Sequence, residues 1–125
     1  MNIVDSSGWL EYYAGGRNAK HYLPVLKDIE SLVVPTVSLY EVFKVVLRER
    51  GEDDALQAVS AMQKGLVADL TPRLSLSAAK LSIKHSLPMA DSIILATARE
   101  YEATIWTQDV DFKGLPGVQY FQKKK

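Results

Sequence analysis

Cysteine is absent from the 125 residues. That excludes a disulfide framework, a cysteine metal site and a thiol nucleophile, and it suits a reducing cytoplasm. Long apolar runs are missing too. None approaches the roughly 18 residues of a membrane span, and no basic segment followed by an apolar one opens the chain. The expectation is a cytoplasmic protein without membrane attachment. Net charge is also lacking, because 15 Lys and Arg are matched by 15 Asp and Glu. Bulk charge therefore gives no affinity for a polyanion, and such a partner needs local help, for example from a bound cation. No Ser-His pairing, glycine-rich phosphate loop or zinc-type histidine spacing is visible. His21 and His85 read as surface or capping residues, and the basic Arg17, Lys20 and Lys27 as a solvated face.

What is present is an ordinary globular composition, 47% hydrophobic and 24% charged, in a length that fits one domain with its own core. A single domain over 1–125 is expected, with 122–125 as a frayed tail. The patterning alternates strands and helices. Apolar and β-branched runs predict strands over 1–4, 32–34, 66–70, 103–107 and 118–121. Three- and four-residue apolar spacing predicts helices over 9–13, 17–31, 39–50, 53–64, 74–86 and from 90 onward. Gly15-Gly16, Pro35, Gly51, Gly65 and Pro88 punctuate them. Such alternation implies a mainly parallel sheet of about four to five strands, flanked by helices on both faces and joined by right-handed crossovers.

The acids carry the chemical signal. Asp91 shares a helix face with Leu95 and Ala98, so it leans toward buried surface, where an unpaired acid is rare unless a cation binds it. The plain alternative is an acid in a first helical turn, favoured by the macrodipole. Asp5 follows the first strand and serves equally as a helix N-cap. Ser38-Leu39-Tyr40-Glu41 matches a capping box, yet Glu41 also follows a strand. Asp109 and Asp111 lie in a turn after the fourth strand, where Asp is common. Each local explanation covers one acid. In a parallel sheet, however, every strand-to-helix loop emerges at the carboxyl edge, so these acids converge. Carboxylates this close repel, and a hard divalent cation is their natural partner. Mg²⁺ or Mn²⁺ prefers oxygen ligands and keeps waters, one of which it can activate against a phosphodiester.

With Ile3-Val4-Asp5-Ser6-Ser7, Ser38-Leu39-Tyr40-Glu41-Val42, Met89-Ala90-Asp91-Ser92-Ile93 and Thr107-Gln108-Asp109-Val110-Asp111-Phe112 in order along the chain, the sequence resembles the PIN-domain ribonucleases. Within them it is similar to the VapC-type toxins of toxin–antitoxin pairs. The resemblance implies a three-layer α/β fold and a Mg²⁺- or Mn²⁺-dependent endoribonuclease. It implies metal ligation or water activation by Asp5, Glu41, Asp91 and Asp109, with the metal on Asp5, Asp91 and Asp109. Asp111 adjoins them, Thr107 supplies a supporting hydroxyl, and Ser6 is the small hydroxyl residue after the first acid. It further implies an RNA substrate, a homodimer and an antitoxin whose C-terminal segment covers the site. Two other readings stay open. One is a non-catalytic PIN-like module acting through a protein partner. The other is a metal-dependent phosphatase with Asp5 as nucleophile, although Ser7 stands where such enzymes carry a second Asp. The antitoxin is expected to set an Arg or Lys against Asp5, Asp91 or Asp109, with its apolar residues along a groove between the helices starting near Arg17 and Ser38.

Overall fold

A computed structural model describes residues 1–123, so the last two lysines of the expected 122–125 tail lie outside the described residues. In chain order the elements are β1 (Asn2–Val4), α1 (Ser6–Tyr13), α2 (Ala19–Lys27), β2 (Val33–Pro35), α3 (Thr36–Arg50), α4 (Glu52–Met62), β3 (Leu66–Ala68), α5 (Pro72–His85), α6 (Met89–Glu100), β4 (Thr104–Thr107) and β5 (Val118–Tyr120). Short 3₁₀ turns at Ile29–Ser31 and Val110–Phe112 complete the chain. No helix among the described residues is long and apolar enough to cross a membrane.

All strand pairs are parallel. β1 pairs with β4 and β4 with β5, while β2 pairs with β3. A bridge between Asn2 and Leu32 joins the two groups, giving the order β3-β2-β1-β4-β5. From β1 the chain steps one way to β2 and β3, then crosses back to place β4 on the other side of β1. Right-handed crossovers taken in opposite directions put their helices on opposite faces of the sheet. The point where direction reverses, between the carboxyl ends of β1 and β4, is where open sheets of this kind leave a crevice.

Strand alternation divides the core accordingly. Val4 and Val34 face a cluster with Trp9, Tyr22, Val25, Val42, Val46, Ala55, Ala58 and Met62, supplied by α1, α2, α3 and α4. Ile3, Val33 and Ile105 face the other way, onto Leu87, Ile94, Leu95 and Ala98 of the α6 layer and Phe112. Each fully buried aliphatic side chain contributes roughly 1.5–3 kcal/mol relative to an exposed one. α6 is enclosed on both sides, since Ile93 and Ala96 pack on Leu74 and Ala78 of α5. Every residue from Ser92 to Ala98 is buried. This makes α6 a rigid mount for the acid in its first turn.

Several boundaries differ from the sequence pattern. α3 begins at Thr36, with Pro35 as its N-cap and no side-chain cap bond. The predicted capping box therefore does not form. Pro35 closes β2 in an extended conformation and leads straight into the helix, which packs half-buried Val37 against the α5 and α6 side. Ser38 ends up inside the helix and fully buried. β3 stops at Ala68, and Leu70 is exposed. The 17–31 helix divides into α2 and the first 3₁₀ turn. His21 stacks on Phe121 at 4.7 Å between ring centroids, which is a packing role.

Candidate active site

Asp5 ends β1 and caps α1, and it is 1% exposed. Its Oδ1 accepts from the Gly8 amide at 3.0 Å, Ser7 Oγ donates to Oδ2 at 2.8 Å, and Thr107 Oγ1 donates to Oδ2 at 2.8 Å. Gly8 is required for this turn. A Cβ there would lie 2.5 Å from Val4 Cγ1 and 2.7 Å from Tyr22 Cε1. Burial pushes the Asp5 carboxyl up to about 6, and the Asp109 charge adds to the rise. The bonds from Thr107, Ser7 and Gly8 oppose it by favouring the ionised form.

α6 runs antiparallel to β4, so its first turn returns to the carboxyl edge of the sheet and brings Asp91 with it. Asp109 follows β4 and caps the second 3₁₀ turn, its Oδ1 accepting from the Asp111 amide at 2.9 Å. Fully buried Phe112 anchors that turn. Asp91, Asp109 and Asp111 each bring a carboxylate oxygen within 4.8 Å of the others. Desolvation raises the Asp91 carboxyl to about 8, and the Asp109 charge, a hydrogen bond with Asp111 and the charges of Asp5 and Asp111 all act in the same direction. Among the described residues the one ion pair joins Arg73 to Glu100, so no basic side chain offsets these acids.

The predicted metal set was Asp5, Asp91 and Asp109, and the structure gathers Asp91, Asp109 and Asp111. Asp5 stands outside this tight group and interacts with it through charge. About four lone-pair sites exist on a carboxylate. Three donors make four contacts with the Asp5 carboxylate, because Ser7 Oγ reaches both oxygens, so its lone-pair sites are engaged by the protein itself. The donor set is oxygen only and negative, which fits Mg²⁺ or Mn²⁺ and not a soft, thiolate-seeking metal. Asp5 fits poorly as a phosphatase nucleophile, because it is buried and its oxygens are engaged.

Glu41, on the second turn of α3, is freed by the missing capping box. Ser6 Oγ donates to Glu41 Oε1 at 2.6 Å and lies 3.3 Å from Ser38 Oγ. Ser6 follows Asp5 directly, so this bond ties Glu41 to the end of β1. Thr107 has a double role: while donating to Asp5, its Oγ1 accepts the Asp109 amide at 2.8 Å. Two participants escape the sequence pattern. Ser7 supports Asp5 through both oxygens, at 3.0 and 2.8 Å, and a hydroxyl two residues after a helix-capping Asp could have signalled it. Asn18 bonds Gln108 beside Asp109, across a sequence separation that gives no local cue.

The class defined by this arrangement is an open parallel α/β domain with an acidic site at its topological switch point. The chain belongs to the PIN domain family, matching it over residues 3–118. Among solved structures it is similar to a toxin–antitoxin complex from Klebsiella pneumoniae, with 22% identity over 99% of this chain and 100% of that one and a TM-score of 0.83. It is similar to VapC20 of Mycobacterium tuberculosis, described as a sarcin-ricin loop cleaving toxin, with 19% identity over 93% and 95% and a TM-score of 0.77. VapBC2 from Rickettsia felis, bound to a DNA fragment from its promoter, gives 13% identity over 96% of each chain and a TM-score of 0.72. No curated protein is significantly similar in sequence.

Proposed function

We propose that the protein is a Mg²⁺- or Mn²⁺-dependent endoribonuclease and the toxin of a toxin–antitoxin pair. The observation that carries this reading is the group of Asp91, Asp109 and Asp111 beside buried Asp5, with no basic partner among the described residues. PIN domain membership and the likeness to toxin–antitoxin structures support it. Asp91 and Asp109 would hold the cation, Asp111 would add an oxygen from the exposed turn, and Asp5, held by Ser7, Gly8 and Thr107, would add its charge from beside them. The bound ion supplies charge stabilisation at the scissile phosphate and a more acidic water. Glu41, fixed at Oε1 by Ser6, takes the proton of the attacking water at Oε2. Thr107 and Ser7 hold Asp5 so that it does not turn away from its neighbours.

The protein works in the cytoplasm on RNA, and without net charge it depends on the cation to approach a phosphate backbone. Leu76 and Ile83 are 69% and 85% exposed on α5, seven residues apart on one helix face, and Met89 is 75% exposed at the start of α6. They supply apolar surface for a second copy, which light scattering tests.

The deciding experiment uses protein freed of any antitoxin. Structured and single-stranded RNA are assayed with Mn²⁺, with Mg²⁺ and with EDTA, beside Asp91→Asn. The variant is nearly isosteric and removes one ligand charge, so it should fold normally and lose Mn²⁺ binding and cleavage. Cleavage that persists in EDTA, or in Asp91→Asn, refutes the assignment. Intact Mn²⁺ binding without cleavage of any RNA favours the non-catalytic module.

A further inference from the structure

Asn18 is fully buried, and three distant segments meet on it. Its Nδ2 donates to Gln108 Oε1 at 2.9 Å and to the Gln122 carbonyl at 3.0 Å, while its amide donates to Glu11 Oε2 at 2.9 Å. Gln108, itself buried, sits between Thr107, which holds Asp5, and Asp109. The same stretch is held from the other side, since the Phe121 amide donates to the Thr107 carbonyl at 2.8 Å. The Phe121 ring lies among His21, Tyr22 and Trp106. Asn18 thus links α1 and the chain beyond β5 to the residue that precedes the acidic turn.

Buried Phe112 anchors the far end of that turn, and the near end needs an anchor of its own. Asp109 and Asp111 repel each other and Asp91, and Val110 and Asp111 are exposed, so neither Val110 nor Asp111 opposes opening by apolar burial. Buried hydrogen bonds resist displacement strongly, because breaking one strands a desolvated polar group. We propose that Asn18 is a positioning residue which, through Gln108, fixes the backbone carrying Asp109 and Asp111 and so sets their spacing to Asp91. Its consequence for the cation rests on the metal-site reading above, whereas its consequence for the turn does not.

Asn18→Ala and Gln108→Ala in the full chain test this, with two readouts. Mn²⁺ affinity is measured by calorimetry, and amide hydrogen exchange is followed at 109–112 without metal. Removing supporting partners of metal ligands lowers affinity by roughly 10–100-fold, and a loss of about tenfold is expected in each variant. Exchange should quicken at the Asp109 and Asp111 amides and stay unchanged in 93–98 of α6. The double variant should lose no more than Asn18→Ala alone, since that variant already removes the bond to Gln108. If Asn18→Ala does not fold, Gln108→Ala decides with the same readouts. A fall in thermal stability with unchanged affinity and unchanged turn exchange overturns the proposal and leaves Asn18 a packing residue. Should the wild type bind no Mn²⁺, the metal reading fails and the exchange data alone decide the positioning.

Discussion

Thr107 and Asp5, 102 residues apart in sequence, are joined by a hydroxyl that donates to Oδ2 at 2.8 Å. Thr107 Oγ1 also accepts the Asp109 amide, so one side chain fastens the carboxyl ends of β1 and β4 at the switch point of the sheet. Thr107→Val keeps the shape and removes both bonds. A hydrogen bond to a charged group is worth about 1.5–3 kcal/mol, and that loss is expected at pH 8, where Asp5 is ionised. At pH 5, below the value of about 6 to which Asp5 is raised, the loss should be smaller. Urea unfolding at the two pH values measures it, and an equal loss at both would separate the bond from the Asp5 charge.

Metal-free protein should lose stability as pH rises. Asp5 and Asp91 titrate near 6 and near 8 in the folded chain, against 3.8 ordinarily. Between those limits the folded state holds protons that the unfolded chain has released. Stability from these groups is thus fully present below about pH 4 and disappears as pH climbs through 6 and then 8. In EDTA the melting temperature is expected to fall from pH 5 to pH 8. With millimolar Mn²⁺ the slope should flatten or reverse, because the cation replaces the protons and binds only the folded site. A melting temperature that rises with pH in EDTA contradicts the shared acidic site.

Glu41→Gln separates charge from hydrogen bonding. The glutamine carbonyl still accepts from Ser6 Oγ, so unfolding free energy should change by less than about 1 kcal/mol. No helix cap is at stake, since Pro35 caps α3. RNA cleavage should drop by roughly 100-fold or more if Oε2 is the base, in line with general-base contributions of about 10²–10⁴. Full activity in a normally stable Glu41→Gln protein would remove Glu41 from the chemistry.

The strand and helix alternation was legible because each element satisfies its own period: Ile3 and Val4 split between two cores, and Ile93, Ile94 and Leu95 bury three sides of α6. That Asp91 and Asp109 meet follows from parallel connectivity, which returns the start of α6 and the end of β4 to one edge of the sheet. The capping box at Ser38 failed because the helix starts earlier, directly after Pro35 ends β2, which leaves Ser38 buried inside α3. Membership of Asp111 in the tight acid group was less legible, since its reach depends on the 3₁₀ turn that Asp109 caps. The strand order, with β4 returning beside β1, is a long-range choice that no short window encodes. The Asn18–Gln108 bond, 90 residues apart, is of the same kind.

A negative site whose acids form no ion pair among the described residues is a ready receptor for an Arg or Lys delivered in trans, in competition with the cation. The sequence placed the antitoxin groove between the helices starting near Arg17 and Ser38. A cavity of about 620 Å³ lies between α1, α3 and α4, with Leu10, Tyr13, Ala14, Val46 and Ala58 as its apolar part, charged Glu11, Glu49, Arg50 and Asp54 also lining it, and Ser7 and Gln108 in the same wall. α2 contributes nothing to it because Tyr22 and Val25 are spent in the core. An amphipathic antitoxin segment seated there has its apolar side chains in the cavity and its cation a short reach from Asp5 and Asp109. Ala14 is exposed at the end of α1, so Ala14→Arg should fold, cleave RNA as the wild type does and resist inhibition by the protein of the neighbouring reading frame. Co-expression followed by activity assay and cross-linking checks this. Full inhibition of Ala14→Arg, or cross-links confined to α5, would move the partner to another face.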